Sequence, residues 1–404
     1  MILPREDDKI LHRINTMKQR VLKLQHEKLY FYNKAIEELN GGARVMIGGY
    51  EMRMYASYSY LGLIGHPRIN RAAKIAIEKY GTGTHGVRTL AGSLPIHNEL
   101  EETIANFKHT ESAITFSSGY VTNLTTISTL LGREDYAISD KLNHASIVDG
   151  CLMSGAKFVR FIHNDMDSLE KRLRQIPERA TKLIISDAVF SMDGDIIDLP
   201  RLLDVCKKYQ AWLMIDEAHS IGVLGKNGSG IEEHFGMDHV VDIKMGTLSK
   251  TIPSVGGYIA GSKDLVQYLR HSSRAYIFSA ALPPAQAAAA NEAFKIIIDE
   301  PWRIERLRNN SKFFINGLKT RGFNTMNTKT AIVPVLCGDD ERAYKMTKYS
   351  QEHGVFVLPV VSPAVPSGLA RLRATITAAH DQSDIDRAMD IIKDAGKEYG
   401  LISD

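Results

Sequence analysis

Apolar positions along the chain follow two different periods. Between residues 9 and 39 they recur at three- and four-residue steps. Leu11, Ile14, Met17, Val21 and Leu24 mark the stripe, with Arg13, Lys18, Arg20 and Lys23 between them. This spacing predicts one long amphipathic helix, packed on its own body or on a partner subunit. A helix with such a basic face also suits a membrane surface or an acidic carrier protein; packing is the reading adopted. From residue 111 short apolar runs alternate with helical patterns. Predicted strands are SAITFSS (112–118), YAISD (136–140), KFVRFI (157–162), KLIISDAVF (182–190), AWLMIDEA (211–218) and DIKMGTLS (242–249). MDSLEKRLRQI and LPRLLDVCKKY read as helices between them.

Strand–helix alternation of this kind predicts an α/β fold: a mostly parallel central sheet with helices on both faces. Ligands of such sheets bind beyond the carboxyl ends of the strands. After residue 300, AIVPVLC, VFVLP and ARLRATIT with their own helices predict a smaller α/β domain. A chain of 404 residues exceeds what one core serves efficiently. The expected division is an N-terminal helix and arm (1–50), a large cofactor-binding domain (51–300) and a small C-terminal domain (301–404).

Composition narrows the function classes. The fractions, 44% hydrophobic and 24% charged, are those of an ordinary globular protein. A net charge of +3 and a pI near 8.5 are too balanced for nucleic-acid binding, but they allow a local basic pocket for an anion. Cys151, Cys206 and Cys337 are far apart, without zinc-ligand spacing, and their odd number argues against a disulfide framework. No metal site is expected. MILPREDDKI lacks a basic region followed by an apolar stretch, so no signal peptide is expected. AALPPAQAAAA is broken by prolines and a glutamine, and no segment is long enough to span a bilayer. The expectation is a reduced, cytoplasmic protein with no nucleic-acid partner and no integral membrane segment.

GTGTHG (81–86) matches GxGxxG literally, but a helical pattern, RAAKIAIEKY, precedes it where a dinucleotide motif requires a strand. It reads instead as a loop whose glycines let backbone approach something closely. GxxxxGK[ST], HExxH and GxSxG are all absent from the sequence.

The informative residues stand at strand ends. AWLMIDEAHS ends a strand on Asp216, with His219 three residues later. DIKMGTLSK ends another on Thr247, Ser249 and Lys250. SSGY (117–120) closes the first strand with Ser118, Gly119 and Tyr120 at a helix start. His144 in DKLNHAS and Ser191 in VFSMDGD follow two more. Each has a bland reading: a helix-capping aspartate, a satisfied core histidine, a solvated lysine. Together they suit one chemistry. A lysine that forms an imine with an aldehyde must shed its proton, against a free pKa near 10.4, and desolvation beside other positive groups achieves this. Pyridoxal phosphate needs a carboxylate opposite its ring nitrogen, a donor to its phenolic oxygen, a stacking ring, and amides at a helix start for its phosphate. Asp216, His219, His144 and SSGY supply these in turn, with hydroxyls from Thr247 and Ser249.

DEAHSIGVLGKNGSG, GTLSKTIPSVGGYIAG, DKLNHASIVDG, VFSMDGDIIDLP and ARLRATITAAH together resemble the α-oxoamine synthases over roughly residues 45–400. That family comprises pyridoxal-5'-phosphate enzymes of transferase fold type I. The resemblance implies condensation of a small amino acid (glycine, alanine or serine) with an acyl thioester, carried by coenzyme A or an acyl carrier protein. Decarboxylation accompanies the condensation in most members, and the product is an α-amino ketone. It implies that Lys250 binds the cofactor aldehyde and moves the α-proton. Asp216 would pair with the pyridine nitrogen, His219 would donate to the phenolic oxygen with Ser191 nearby, and His144 would stack on the ring. Ser118, Gly119, Tyr120, Thr247 and Ser249 would surround the phosphate. A homodimer with shared sites is implied, in which Ser279 reaches the partner's phosphate and the loop carrying His85 lines the shared site. Arg373 would bind the substrate carboxylate, with Arg371 as the fallback. Two departures touch substrate handling. Tyr58 and Ser59 stand before YLGL where most relatives read Asn-Asn or Asn-Asp, and Ala364 stands where oxononanoate synthases carry threonine. Two rivals remain: an aminotransferase or lyase of the same fold, and a non-catalytic subunit. The five-motif match argues against the first, and the presence of Lys250, Asp216 and His219 against the second.

Overall fold

The computed structural model describes residues 8–403 apart from Gly41. Residues 1–7, which open the stretch read above for a leader, lie outside the described residues. The N-terminal helix is shorter than its periodicity predicts, running Lys9–His26 and not to residue 39. Asp8 caps its start by accepting from the Ile10 and Leu11 amides. Its end is a left-handed stop: Lys28 has φ +55°, and the Leu29 and Lys28 amides turn back to the Leu24 and Gln25 carbonyls at 2.8 and 3.1 Å. Within this chain Leu24 is buried, whereas Ile10, Ile14 and Met17 remain 67, 57 and 58% exposed. Of the stripe, Ile14 and Met17 therefore face away from the body, while Leu11 and Val21 are half-buried and Leu24 packs on it. Short antiparallel strands follow (Glu38–Asn40, Arg44–Ile47, Tyr50–Met54), and Val355–Phe356 joins their edge in parallel.

Among the described residues a seven-stranded sheet forms the centre. Its order is Ser112–Phe116, Pro253–Gly261, Ile243–Ser249, Trp212–Asp216, Lys182–Asp187, Tyr136–Asp140, Lys157–Phe161. Six of these are the predicted strands, and the predicted ends are too long in two that matter. The strands stop on Asp187 and Asp216, not at residues 190 and 218, because the chain turns away as soon as these aspartates leave the sheet. The seventh, Pro253–Gly261, was not anticipated; its glycines interrupt any alternation. It runs antiparallel to both neighbours, while the pairings from Ile243–Ser249 outward are parallel. Gly257 is required there: a Cβ would lie 2.3 Å from Thr122 Oγ1 and 2.8 Å from Gly119 Cα, so helix Gly119–Leu130 could not settle on the sheet. Alternate residues feed separate cores on the two faces. Ile138, Ile184 and Ile215 point into one, Ala137, Leu183, Ile185 and Met214 into the other.

The C-terminal third carries an antiparallel sheet, Ile332–Gly338, Ala370–Thr375 and Leu358–Val360. VFVLP is thus split between two sheets. AALPPAQAAAA opens a helix, Pro284–Asp299, with its prolines at the start, where a missing N–H costs nothing. No helix among the described residues is long and apolar enough to cross a membrane.

Behind Asp216 lies a buried ion pair. Lys108 Nζ donates to Glu217 Oε2 and to the Ser229 carbonyl, and Glu217 Oε1 accepts the Ile231 amide at 3.1 Å. Since Glu217 directly follows Asp216, this pair fixes where the strand releases the chain into the turn holding His219. Lys108→Met should lower folding stability by about 3–5 kcal/mol, because it strands a buried carboxylate, whereas Lys108→Met with Glu217→Leu should recover most of that loss. Urea midpoints for the single and double variants check this, and a neutral single variant would remove the pair from the account.

Candidate active site

The carboxyl ends of the central strands open into a cavity of about 260 Å³. Ser118, Gly119, Tyr120, His144, Ser191, Asp216, His219, Thr247, Ser249 and Lys250 all line it. At one end, helix Gly119–Leu130 starts with Ser118 as its cap, whose Oγ accepts the Val121 amide at 3.2 Å. The first amides of a helix have no intrahelical partner and attract anions. Thr247 and Ser249 stand beside them with their hydroxyls 2.9 Å apart. Glycine is needed at position 119, since a Cβ would sit 2.9 Å from Thr247 Oγ1.

At the other end Asp216 is held by both oxygens: Oδ1 accepts the Ala218 amide at 2.9 Å, and Oδ2 accepts from Asn123 Nδ2 at 2.7 Å. Asn123 also donates to Ser146 Oγ at 2.9 Å, and the Ser146 amide reaches His144 Nδ1 at 3.3 Å. His144 therefore keeps Nδ1 as an acceptor. Burial lowers its pKa, with the Lys250 charge adding to the effect and Asp216 opposing it, so the ring is neutral.

Lys250 keeps some exposed surface while its amine is enclosed by protein. Burial lowers its pKa to about 8; Asp216 and Asp187 oppose the shift and Arg373 adds to it. Its Nζ lies 2.9 Å from His219 Nε2, and His219 Nδ1 lies 2.6 Å from Tyr60 Oη. Burial, then the charges of Lys250 and Arg373, hold His219 well below its usual range. A protonated lysine can only donate, so Nε2 accepts and the ring's one proton sits on Nδ1, facing Tyr60. The Tyr58 ring lies under both cations, 5.6 Å from Lys250 Nζ and 5.0 Å from Arg373 Cζ.

Arg373 Nε donates to the Ser191 carbonyl at 2.6 Å and Nη1 to Thr375 Oγ1 at 3.0 Å. Its buried Nη2 has no partner among the described residues, which leaves a donor suited to a carboxylate. Arg371 is committed elsewhere, to Asp193 and the Leu369 and Met192 carbonyls. Five predicted residues lie outside the cavity lining; Tyr58 and Arg373 stand near Lys250, and the other three are placed elsewhere. Ser59 is buried with its Oγ unpartnered among the described residues. His85 is exposed on its loop, and Ser279 is half-buried beyond the short helix Arg274–Ile277.

Asn123, Tyr60, Ser146 and Asp187 were missed. Asn123 could have been found one helical turn after Gly119. Asp187 could have been found as the residue that pairs in register with Asp216, both closing adjacent parallel strands. Burial and then the Asp216 charge push the Asp187 carboxyl well above its usual range.

The donor set fits pyridoxal phosphate, with helix amides and hydroxyls for the phosphate, a braced carboxylate opposite, a neutral imidazole between and a desolvated amine. Fold and site together define a pyridoxal-phosphate-dependent transferase of fold type I. The sequence matches the family described as aminotransferase class I and II over residues 55–392. It is 43% identical over 386 residues to 8-amino-7-oxononanoate synthase 1 of Bacillus velezensis, covering 96% of this chain and 98% of that protein. It is 42% identical over 370 residues to serine palmitoyltransferase of Sphingobacterium spiritivorum, covering 92% of each. A solved serine palmitoyltransferase with pyridoxal phosphate superposes with a TM-score of 0.95 at 35% identity, over 98% of this chain and 100% of that one. The chain belongs to the α-oxoamine synthase family, pyridoxal-phosphate-dependent enzymes that condense an amino acid with an acyl thioester.

In cofactor-free protein, labelling of Lys250 by an amine reagent should rise with pH through a midpoint near 8, not near the ordinary 10.5. Arg373→Met removes a charge that lowers this pKa, so the midpoint should move upward. Mass-spectrometric labelling from about pH 6 to about pH 12, which takes in both the lowered and the free-lysine value, measures it. A wild-type midpoint near the free value would contradict the desolvation argument.

Proposed function

We propose that this chain joins glycine, alanine or serine to an acyl group delivered on coenzyme A or an acyl carrier protein, releasing the thiol and carbon dioxide. The observation that carries the reading is the pairing of Lys250 and Arg373 on the Tyr58 ring: an amine with depressed basicity near a buried guanidinium with a spare donor. Arg373 Nη2 takes the amino-acid carboxylate and so presents the α-carbon to Lys250. Lys250 accepts the α-proton, which its pKa of about 8 allows near neutrality. When bound, pyridoxal phosphate supplies the electron sink for charge at that carbon. Asp216, fixed by Asn123 and Ala218, would hold the ring nitrogen's proton, and His219 would stand on the phenolic side. His144 would cover the ring, and Ser118, Gly119, Tyr120, Thr247 and Ser249 would hold the phosphate. The new bond forms between the α-carbon and the acyl carbonyl as the thiolate leaves. The Tyr58 ring, packed under both cations, replaces the amide that most relatives place there and shapes the substrate end.

The reading includes a homodimer. The His85 loop and the Ser279 segment are joined by a Val87–Ala280 bridge and a 3.0 Å bond from the Ala281 amide to the Gly86 carbonyl. That joint surface exposes Leu90 and Phe278, and the N-terminal helix exposes Ile10, Ile14 and Met17. A second copy of the chain would cover these apolar side chains and bring His85 and Ser279 to its own cavity.

Thiol release from a panel of acyl thioesters with each amino acid tests the reaction. One productive pair, abolished by Lys250→Ala, is expected; no thiol with any coenzyme A or carrier-protein donor would reject it. Shared sites predict complementation. Lys250→Ala and Ser279→Glu chains should each be inactive alone, and co-refolded mixtures should regain activity through one intact composite site. Mixtures that stay inactive while forming dimers would refute the sharing.

A further inference from the structure

Outside the cavity, a histidine is held between two carboxylates. His163 follows strand Lys157–Phe161. Its Nδ1 lies 3.1 and 3.2 Å from the two oxygens of buried Asp140, and its Nε2 lies 2.9 Å from Asp195 Oδ2. Both ring nitrogens can donate to carboxylates only as imidazolium. Burial would lower the pKa, but the bonds and charges of Asp140 and Asp195 outweigh it and push it up to about 10. The ring also meets Phe190 edge-on at 4.3 Å. Next in sequence, Asn164 donates to the Ile196 carbonyl and accepts the Asp198 amide, each at 3.1 Å.

Asp195 and Ile196 close a tight turn. The Phe190 amide bonds the Asp195 carbonyl at 3.1 Å, the Gly194 amide bonds the Phe190 carbonyl at 2.9 Å, and Val189 bridges to Ile196. The far side of this turn holds the substrate arginine. The Ser191 carbonyl takes Arg373 Nε, while Met192 and Asp193 take Arg371. Gly194 is wedged against the C-terminal sheet: a Cβ there would sit 2.2 Å from the Ile332 carbonyl oxygen, and its own carbonyl accepts from Thr330 Oγ1 at 2.9 Å. Ser191 itself lines the cavity.

We infer that His163 is a positioning residue, which ties the turn 190–196 to the central sheet in the register that aims Arg373 and Ser191 at the cavity. It touches neither substrate nor cofactor. It acts because Arg373 reaches across from strand Ala370–Thr375, and the Ser191 carbonyl determines which guanidinium nitrogen stays free. The inference rests on the reading of Arg373 as the carboxylate ligand.

The test uses the full-length, cofactor-loaded chain. Calorimetry gives Kd for the amino acid and for its amide, which lacks the carboxylate; initial rates give KM for the thioester. His163→Gln should raise the amino-acid Kd about tenfold or more, since a misplacement of about 1 Å is that costly. The amide Kd and thioester KM should stay within about twofold, the usual spread for uncoupled sites. An unchanged amino-acid Kd overturns the inference, and so does a parallel rise in all three constants, which a merely loosened structure would give. Asp195→Asn cuts the same link from the turn's side and carries the test with the same expectations if His163→Gln does not fold. Arg373→Lys separates the two readings. If it weakens the amino acid and the His163 and Asp195 variants do not, only the positioning role fails. If Arg373→Lys changes nothing, the carboxylate reading fails and takes the inference with it.

Discussion

An amine that is to give up its proton far more readily than a free lysine has to be kept from water, and enclosing Lys250 sets conditions on everything around it. Burial alone would depress its basicity further; Asp216 and Asp187 limit the shift, and Arg373 sustains it. The two aspartates cannot be placed independently. They close adjacent parallel strands in register, so the sheet that delivers one carboxylate also delivers the other. With both buried beside each other, the Asp187 carboxyl is pushed well above its usual range. The charge that remains useful is the one Asn123 and the Ala218 amide hold in place. Neutral His219 and His144 follow from the same enclosure, since neither ring can afford a charge beside the lysine.

Enclosure also explains the backbone. The anion-binding end needs a helix start close against the sheet, and Gly257 and Gly119 remove the two Cβ atoms that would prevent it. The antiparallel strand Pro253–Gly261 follows Lys250 almost at once and returns under that helix start. The lysine thereby sits in the short connection between two strands that pair with each other from Ser249 and Pro253. Behind Asp216 the Lys108–Glu217 pair fixes the exit of the neighbouring strand. A buried pair of this kind adds little net stability, but it fixes geometry because either partner alone would be costly.

What the sequence disclosed and what it concealed follow from the range of the interactions. The strands announce themselves because both their faces are apolar, and their catalytic ends show as polar residues where the apolar run stops. Asp216, Lys250, Thr247 and His144 could be read that way. Asn123 and Ser146 lie inside helices and not where an apolar run stops, and Asn123 meets Ser146 and Asp216 only in the folded chain. Strand Pro253–Gly261 was hidden for the opposite reason: its glycines serve a helix that the local pattern does not show. The N-terminal helix was overextended because periodicity carries no information about a left-handed stop at a lysine.

The two ends of the site are built differently. The cofactor end comes from consecutive strands of one sheet, braced by a buried ion pair and close-packed glycines. The end around Arg373 is assembled from separate pieces: Tyr58 from the segment after the N-terminal strands, Arg373 from the C-terminal sheet, and the Ser191 carbonyl from the turn between them. On the proposed reading, a change in one of these pieces would alter what is bound and leave the surroundings of the amine intact. Tyr58 is placed for such a role, since its ring face meets Lys250 and Arg373 and leaves their hydrogen bonds intact. Relatives at 43% and 42% identity carry the names 8-amino-7-oxononanoate synthase and serine palmitoyltransferase, and on the proposed reading such a difference would arise in contacts between elements rather than within any one motif.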